Sequence, residues 1–197
     1  MIDEAVAAIR AGKPVVLPTD TVYGLCADAE SETAALEVAR LKGRAATQPT
    51  ALVAGDVDRL LERVPELDER VLRPLLPGPY TLVLPNPARR YPWLTGDNPE
   101  AIGVRVPRLH GSAAEVLDRV GAVLATSANE HDGPDPRRLE DVPEGIRRAC
   151  GALVDGGELP GTPSTVLDLT GPEPKVLREG AVPAAEALGL LAATTGR

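Results

Sequence analysis

The residues of this chain that are best suited to chemistry stand in short polar motifs directly after apolar, strand-like runs. The first motif is Pro18–Leu25, with the sequence PTDTVYGL, and it follows the run Val15–Leu17. It brings hydroxyls, a carboxylate and a phenol together, and Gly24 lets the chain turn. Polar groups at the end of a strand in an α/β protein usually face a cleft. Thr and Asp also serve hydrogen-bonded turns, so the motif alone leaves both interpretations open.

Further motifs of the same character follow along the chain. They are Lys42-Gly43-Arg44, Pro77–Thr81, Val104–Pro107, Thr126–Asn129 and Pro163–Thr165. Together they supply cations, hydroxyls and amides without a catalytic histidine or a pair of carboxylates. That set suits a polyphosphate and a small zwitterion, because lysine offers a point charge and arginine a planar fork for two oxygens. Phosphoryl and nucleotidyl transfer depend mostly on positioning and charge neutralisation, so such a site needs no strong general base.

Arg105 is the strongest single signal for a ligand site. Arginine is seldom buried in an apolar strand unless it is paired, and its guanidinium can clamp a carboxylate. Lys42 and Arg44 are weaker signals, because cations at the end of a helix can simply complement its dipole. Ser127 and Asn129 can donate to phosphate oxygens, but they can also begin an ordinary loop. The chain contains neither a P-loop motif nor a G-x-G-x-x-G dinucleotide motif.

Composition narrows the class of protein. The chain has 197 residues, of which 43% are hydrophobic, so we expect an ordered single domain over residues 1–197 without an additional C-terminal domain. Aromatic residues make up only 2%, which predicts an aliphatic core. The formal net charge of −8 argues against binding of nucleic acid by bulk charge. A local basic patch stays open, although surface pairing is the simpler interpretation of the arginine doublets.

The cysteine and histidine positions point to a cytoplasmic protein without a metal centre of its own. Cys26 and Cys150 are far apart and form no C-x-x-C pattern, which predicts reduced thiols. His110 and His131 stand in no ligand spacing, so a zinc site is not expected. We expect neither a signal peptide nor a membrane span, because no apolar run approaches about 18 residues.

Periodicity and turn residues predict the elements that position these motifs. The order begins α-β-α-β-α and then becomes rich in strands, which favours an α/β sandwich with a mixed sheet. The predicted helices are Asp3–Arg10, Ser31–Lys42 with Gly43 as its end, a helix capped by Asp56, one begun by Pro65, Ser112–Arg119, Pro143–Ala149 and Pro183–Ala192. The predicted strands are Val15–Leu17, Ala51–Ala54, Thr81–Leu84, Ile102–Val106, Val123–Ala125, Ala152–Val154, Thr165–Leu169 and Lys175–Leu177. The loop Asn86–Glu100 either serves function or tucks Trp93 onto the core.

Taken together, the motifs closely resemble the YrdC-like family of L-threonylcarbamoyladenylate synthases over residues 5–180. The resemblance rests on ordered, spaced motifs: PTDTVYGL at 18–25, K-x-R at 42–44, PGPYTLVL at 77–84, VRVP at 104–107, S-x-N at 127–129, PSTVLD at 163–168 and Leu177–Gly180. It implies a twisted α/β sandwich with a mixed sheet and a concave active-site face. It also implies an enzyme that joins L-threonine, bicarbonate and ATP into threonylcarbamoyl-AMP, releases pyrophosphate, and feeds a downstream complex that modifies tRNA.

The resemblance also implies roles for particular residues. Thr21, Arg105, Ala125 and Ser164 would bind threonine, with Arg105 on its carboxylate. Arg44, Ser127 and Arg178 would bind ATP, while Lys42, Arg44, Ser127 and Asn129 would form the catalytic polar cluster around the phosphates. Mg²⁺ would accompany ATP, held mainly by phosphate oxygens and water.

The chain departs from the family pattern at residues 45–53, at Ala101 and at residues 130–135. Val53 stands where some members have histidine, and Ala101 where some have threonine. Segment 130–135 adds carboxylates beside the expected phosphate site, which can bind Mg²⁺ or weaken ATP binding. These departures keep open a relative that binds nucleotide or RNA without making the adenylate. An RNA-binding module and a carbamoyl-transfer module are further alternatives, and direct RNA binding is expected to be weak or absent.

Overall fold

The computed structural model describes residues 1–195, and within these residues one mixed sheet of nine strands forms the middle of the fold. The strand order across the sheet is β7-β1-β2-β6-β3-β5-β4-β8-β9. The strands are β1 Val15–Pro18, β2 Tyr23–Asp28, β3 Ala51–Ala54, β4 Tyr80–Pro85, β5 Ala101–Arg105, β6 Ala122–Ser127, β7 Ala152–Leu153, β8 Thr165–Asp168 and β9 Lys175–Arg178. Strands β1–β7, β3–β5 and β4–β8 pair in parallel, and the other neighbours pair antiparallel. The predicted α/β class with a mixed sheet is confirmed.

Helices cover both faces of this sheet. They are α1 Ile2–Arg10, α2 Glu32–Lys42, α3 Val57–Arg63, α4 Glu69–Leu72, α5 Gly111–Val120, α6 Glu144–Ala149 and α7 Ala184–Thr195, with a short 3-10 helix at Leu139–Asp141. Helices α1 and α5 pack against each other over one face, in a cluster that includes Val6, Ile9 and Leu117. The remaining helices pack on the opposite face, against buried residues such as Leu52 and Leu124.

Local sequence signals explain where helix α2 begins and ends. The Ser31 hydroxyl accepts a hydrogen bond from the Ala34 backbone N–H at 3.2 Å, which satisfies a donor that the first turn leaves unpaired. Gly43 follows the last turn at φ 65°, a left-handed conformation that glycine adopts without strain. This helix end places Lys42 and Arg44 beside the strand ends where the polar motifs lie.

Two of the predicted elements are wrong in detail. The residues Tyr23–Asp28 form strand β2, which the prediction did not include; its first three residues belong to the polar motif Pro18–Leu25. Pro65 does not begin a helix; α4 begins later and is capped by Asp68, whose side chain accepts a hydrogen bond from the Arg70 backbone N–H. The remaining predicted helices and strands lie within a few residues of their expected bounds.

Candidate active site

A cavity of about 470 Å³ lies on the α1–α5 face of the sheet, beyond the part that these helices cover. Because side chains alternate between the two faces of a strand, every second residue of six neighbouring strands borders it. The floor is made of small residues: Gly24, Ala125, Ala51 and Gly103. A side-chain carbon added at Gly103 would meet nothing closer than 3.8 Å. The floor is therefore open enough for a ligand to approach the sheet closely.

The structure brings the predicted site residues together at this cavity. Those that line it are Arg105, Ser127, Ala125, Ser164 and Arg178. The others lie directly behind the lining: Thr21 contacts Arg105, Lys42 and Asn129 contact each other and Ser127, and Arg44 contacts Thr50. The motifs come from distant parts of the chain, so their convergence is a property of the fold.

Arg105 stands at the end of strand β5 in a nearly closed polar setting. Its Nη2 donates to Asp20 Oδ1 at 2.5 Å and to Thr21 Oγ1 at 2.8 Å. The side chains of Arg105 and Asp20 are each 12% exposed. The second oxygen of Asp20 accepts a hydrogen bond from the Arg108 backbone N–H at 2.9 Å. Arg105 lines the cavity, so its guanidinium can meet a carboxylate ligand there, and its buried Nε has no hydrogen-bond partner within the protein.

A second cation lies against the loop that precedes strand β8. Arg178 donates through Nε and Nη2 to the Ser164 carbonyl at 3.1 and 2.9 Å. The Ser164 hydroxyl lies 2.8 Å from Thr81 Oγ1 and 3.2 Å from Arg178 Nη2. Burial lowers the pKa of Arg178, the Asp135 carboxylate opposes this shift, and the charge of Arg105 adds to it. Two cations close enough to repel each other favour a ligand that carries negative charge.

Lys42 is buried behind the end of strand β6. Its Nζ donates to three oxygens at 2.7 Å: the carbonyls of Ser127 and Asn129 and the Asn129 side-chain oxygen. The Ser127 hydroxyl donates to that same side-chain oxygen at 2.6 Å. Burial lowers the pKa of Lys42 to about 8, the charge of Arg44 adds to the shift, and Asp135 opposes it. Lys42 therefore fixes the Ser127–Asn129 turn.

Arg44 contacts two residues of the cavity wall. It donates to the Thr50 hydroxyl and to the Pro49 carbonyl, and both of these residues line the cavity. Its Nε is buried without a hydrogen-bond partner, and burial lowers the pKa of the guanidinium. Like Arg105, Arg44 therefore keeps an unsatisfied donor close to the cavity.

Sequence reasoning missed several polar residues of the site. Asp20 lies in the motif Pro18–Leu25 and Thr81 in the motif Pro77–Thr81, but the sequence indicated no role for either side chain. The loop 86–100 supplies Thr95 and Asn98 to the lining, and it also tucks Trp93 inward, where Nε1 donates to the Ala29 carbonyl at 2.9 Å. The interpretation that Trp93 tucks onto the core is thus confirmed, and a functional role of the loop stays a prediction.

Tyr23 and Cys26 contribute no reactive group to the cavity. The side chain of Tyr23 is fully buried in the core on the other face of the sheet. The thiol of Cys26 borders the cavity, but burial raises its pKa to about 12, so it stays protonated at neutral pH. Both cysteines are free, as the spacing predicted.

Within residues 1–195, no group of three or more His, Cys, Asp or Glu side chains could hold a metal ion. A nucleotide-bound Mg²⁺ needs few protein ligands, because phosphate oxygens and water complete its shell. In the part of the chain that the structure describes, no helix is long and apolar enough to cross a membrane.

Comparison with known proteins places these motifs in a family. The Sua5/YciO/YrdC family model, described as telomere recombination, matches residues 7–180. A candidate threonylcarbamoyl-AMP synthase of Mycobacterium tuberculosis is 36% identical over 200 residues, which cover 98% of this chain and 91% of that protein. The threonylcarbamoyl-AMP synthase of Stenotrophomonas maltophilia is 35% identical over 161 residues, which cover 79% of this chain and 86% of that protein.

Solved structures of Sua5 and YciO proteins are also similar to this chain. The structure of Pyrococcus abyssi Sua5 in complex with L-threonine has a TM-score of 0.82 and 34% sequence identity, and the match covers 96% of this chain. This chain spans only 56% of the length of that Sua5 chain. Escherichia coli YciO has a TM-score of 0.76 and 27% identity, with 91% of this chain and 89% of YciO covered.

Proposed function

Because this chain belongs to the Sua5/YciO/YrdC family, we propose that it is an L-threonylcarbamoyladenylate synthase. The reaction joins L-threonine, bicarbonate and ATP into threonylcarbamoyl-AMP and releases pyrophosphate, which makes the protein a nucleotidyltransferase. The observation that carries the proposal is the convergence of Arg105, Ser164, Arg178 and Ser127 on one cavity. Relatives that share most of this chain's length bear the name of this activity.

Threonine fits the part of the cavity around Arg105. The carboxylate would bind the Arg105 guanidinium, which lines the cavity and which Asp20 and Thr21 hold in place. The Ser164 hydroxyl faces the same space, and Ala125 leaves room for the ligand on the floor. The complex of P. abyssi Sua5 with L-threonine supports this assignment of the amino acid.

ATP fits the rest of the cavity, between Arg44, Ser127 and Arg178. Each of the two arginines carries a pKa lowered by burial, and the charge of a phosphate would offset that cost. Lys42 and Asn129 act on this site through Ser127, whose hydroxyl and carbonyl they hold. They are therefore positioning residues in this proposal, which refines the role in catalysis that the resemblance implied.

The chemistry asks the protein to orient its substrates and to neutralise charge. The threonine amine attacks CO₂ formed from bicarbonate, and loss of a proton gives the carbamate. A carbamate oxygen then attacks the α-phosphorus of ATP, and the bond between the α-phosphorus and the α,β-bridging oxygen breaks, so that pyrophosphate leaves with the electron pair of that bond. Arg44 and Arg178 would stabilise the charge on the phosphoryl oxygens, and the Mg²⁺ that accompanies ATP would neutralise the leaving pyrophosphate.

We also propose a cytoplasmic location and a separate downstream complex that transfers the threonylcarbamoyl group to tRNA. Weak or absent direct RNA binding agrees with the pairing of surface arginines. Arg89 and Arg90 pair with Glu100 and Glu66. Because these charges are already matched, they offer little to a phosphate backbone.

The test is pyrophosphate release from ATP in the presence of bicarbonate and Mg²⁺, with and without L-threonine. L-serine serves as the control amino acid. Release that depends on threonine would establish the synthase. A folded protein that binds ATP but releases no pyrophosphate with threonine would overturn the proposal and favour the non-catalytic relative instead.

A further inference from the structure

Strand β9 contains an irregularity that changes which side chains face the cavity. Val166 pairs with Arg178 and Leu167 pairs with Val176, so Leu177 is an extra residue without a partner in β8. Successive residues of a regular strand point to opposite faces, but a bulge sets two neighbours on one side. Leu177 and Arg178 accordingly both line the cavity, whereas Val176 does not.

The bulge therefore places an apolar and a cationic side chain next to each other. Leu177 is 58% exposed, which makes it an unusual position for a large apolar residue. Val166 and Val83 also line the cavity; Val166 lies on β8, which pairs with β9, and Val83 lies on β4, on the far side of β8. Among the described residues that line the cavity, none is aromatic, so any flat ring bound there must lie against aliphatic groups.

The segment that carries Leu177 is held rigidly. A side-chain carbon at Gly180 would lie 2.2 Å from the Pro163 carbonyl oxygen, so only glycine allows this close approach. Ala181 N–H donates to the same carbonyl at 2.8 Å. Together with the bonds from Arg178 to Ser164, these contacts fix the wall before any ligand binds.

We propose that Leu177 forms one wall of the subsite for the nucleobase of ATP. The inference rests on the proposed function, and it names a residue that positions the nucleotide. The base is the large apolar surface of ATP, and covering Leu177 with it removes apolar area from water. Arg178, beside it in the bulge, then meets the charged part of the same ligand. The bulge couples base and phosphate recognition in two consecutive residues.

The test compares Leu177→Ser with the matched control Val176→Ser. Val176 is 44% exposed on the same strand but faces away from the cavity. Equilibrium binding of ATP and of inorganic tripolyphosphate is measured by titration calorimetry for each protein, with thermal unfolding as the check of folding. We expect Leu177→Ser to weaken ATP binding about tenfold, the effect of uncovering roughly 50 Å² of apolar contact. Tripolyphosphate binding should stay unchanged, and so should both affinities in Val176→Ser.

Several results would overturn the inference. One is unchanged ATP affinity in Leu177→Ser, and another is equal weakening of ATP and tripolyphosphate, which would indicate a general loss of the site. A rise in the KM for threonine alone would assign Leu177 to the amino-acid subsite. Because binding needs no turnover, the experiment also separates the two proposals: normal ATP binding without threonine-dependent pyrophosphate release rejects the synthase and leaves the nucleobase wall standing.

Discussion

The Asp20 carboxylate lies 2.5 Å from the Arg105 guanidinium, and the pair is almost closed to solvent. Burying two charges is costly, and an ion pair of this kind adds little net stability. The pair instead fixes the geometry of the site, because the Arg108 backbone N–H donates to Asp20 and holds its carboxylate in place. The pair holds the guanidinium in one orientation at the lining of the cavity. We interpret Asp20 as the residue that aims Arg105 at the amino-acid carboxylate.

Replacing Asp20 with asparagine should therefore weaken threonine binding. The change keeps the size of the side chain but removes the charge that orients Arg105. A hydrogen bond to a charged group contributes about 1.5–3 kcal/mol, so we expect the KM for threonine to rise tenfold or more. The KM for ATP should change less than threefold. Steady-state pyrophosphate release at varied threonine and varied ATP measures both values.

Asp3→Asn is the matched control for this experiment. Asp3 also pairs with an arginine, Arg119, but it is 88% exposed and does not line the cavity. Its loss should leave both KM values unchanged, since exposed ion pairs contribute little. Equal rises in the two KM values for Asp20→Asn, at unchanged stability, would contradict a role confined to the amino acid.

The Lys42 amine should lose its proton at a pH at which enzyme activity can still be measured. Burial lowers its pKa from 10.5 to about 8. The other lysines of the chain, Lys13 and Lys175, are both exposed, so ¹³C-labelled lysine should give one distinct titration near pH 8. A neutral amine has only two N–H groups for three acceptor oxygens, so the Ser127–Asn129 turn should loosen as the proton leaves. Turnover should fall above pH 8.

Turnover should fall as Lys42 loses its proton, but the free energy of unfolding should gain from the same loss. Between about pH 8 and 10.5 the unfolded chain holds the Lys42 proton and the folded chain does not. The unfolded state therefore binds more protons, and the contribution of this group to the free energy of unfolding rises with pH across that window. Urea unfolding at several pH values, with Lys42→Met as reference, measures this slope. A Lys42 signal that titrates above pH 10 would contradict both expectations.

Most of the helices, strands and site residues could be predicted from the sequence, because short local patterns of residues indicate them. Ser31 and Gly43 mark the ends of a helix by their own chemistry, and short apolar runs mark most of the strands. The residues that sequence reasoning missed act only through the tertiary structure. Nothing local shows that Asp20 meets Arg105, or that a bulge in β9 brings Leu177 to the cavity. Those relationships depend on strand register, which distant pairing sets.

Asp135→Asn should decide between two effects of the acidic segment 130–135. Asp135 is half-buried, and its charge raises the pKa of both Lys42 and Arg178, so it lies close to the cations of the proposed phosphate site. We expect it to oppose the phosphates of ATP, and its neutralisation should lower the KM for ATP severalfold at low salt. The effect should shrink as the ionic strength rises. Asp132→Asn, at an exposed position of the same segment, is the control.

The opposite result for Asp135→Asn would indicate that the carboxylate helps ATP to bind. A higher KM for ATP, together with a greater requirement for Mg²⁺, would show that the carboxylate helps to hold the metal of Mg·ATP. Titration of activity with Mg²⁺ at fixed ATP distinguishes the two cases.

Tyr23→Phe should affect stability without changing the chemistry of the site. The Tyr23 hydroxyl contacts Asp155 Oδ1 at 3.0 Å and the Gly157 carbonyl at 2.8 Å, and it accepts from the Gly156 N–H at 3.0 Å. It thereby ties the 155–157 loop to the core. Removal of the hydroxyl breaks these hydrogen bonds; because residues 155–157 are exposed and Asp155 Oδ1 still accepts from the Gly157 N–H, we expect a cost of about 0.5–1.5 kcal/mol. Urea unfolding should show this loss, while the KM values for threonine and ATP stay within twofold of the original protein. A fall in turnover at unchanged stability would instead place the phenol in the site, and would contradict its burial on the opposite face of the sheet.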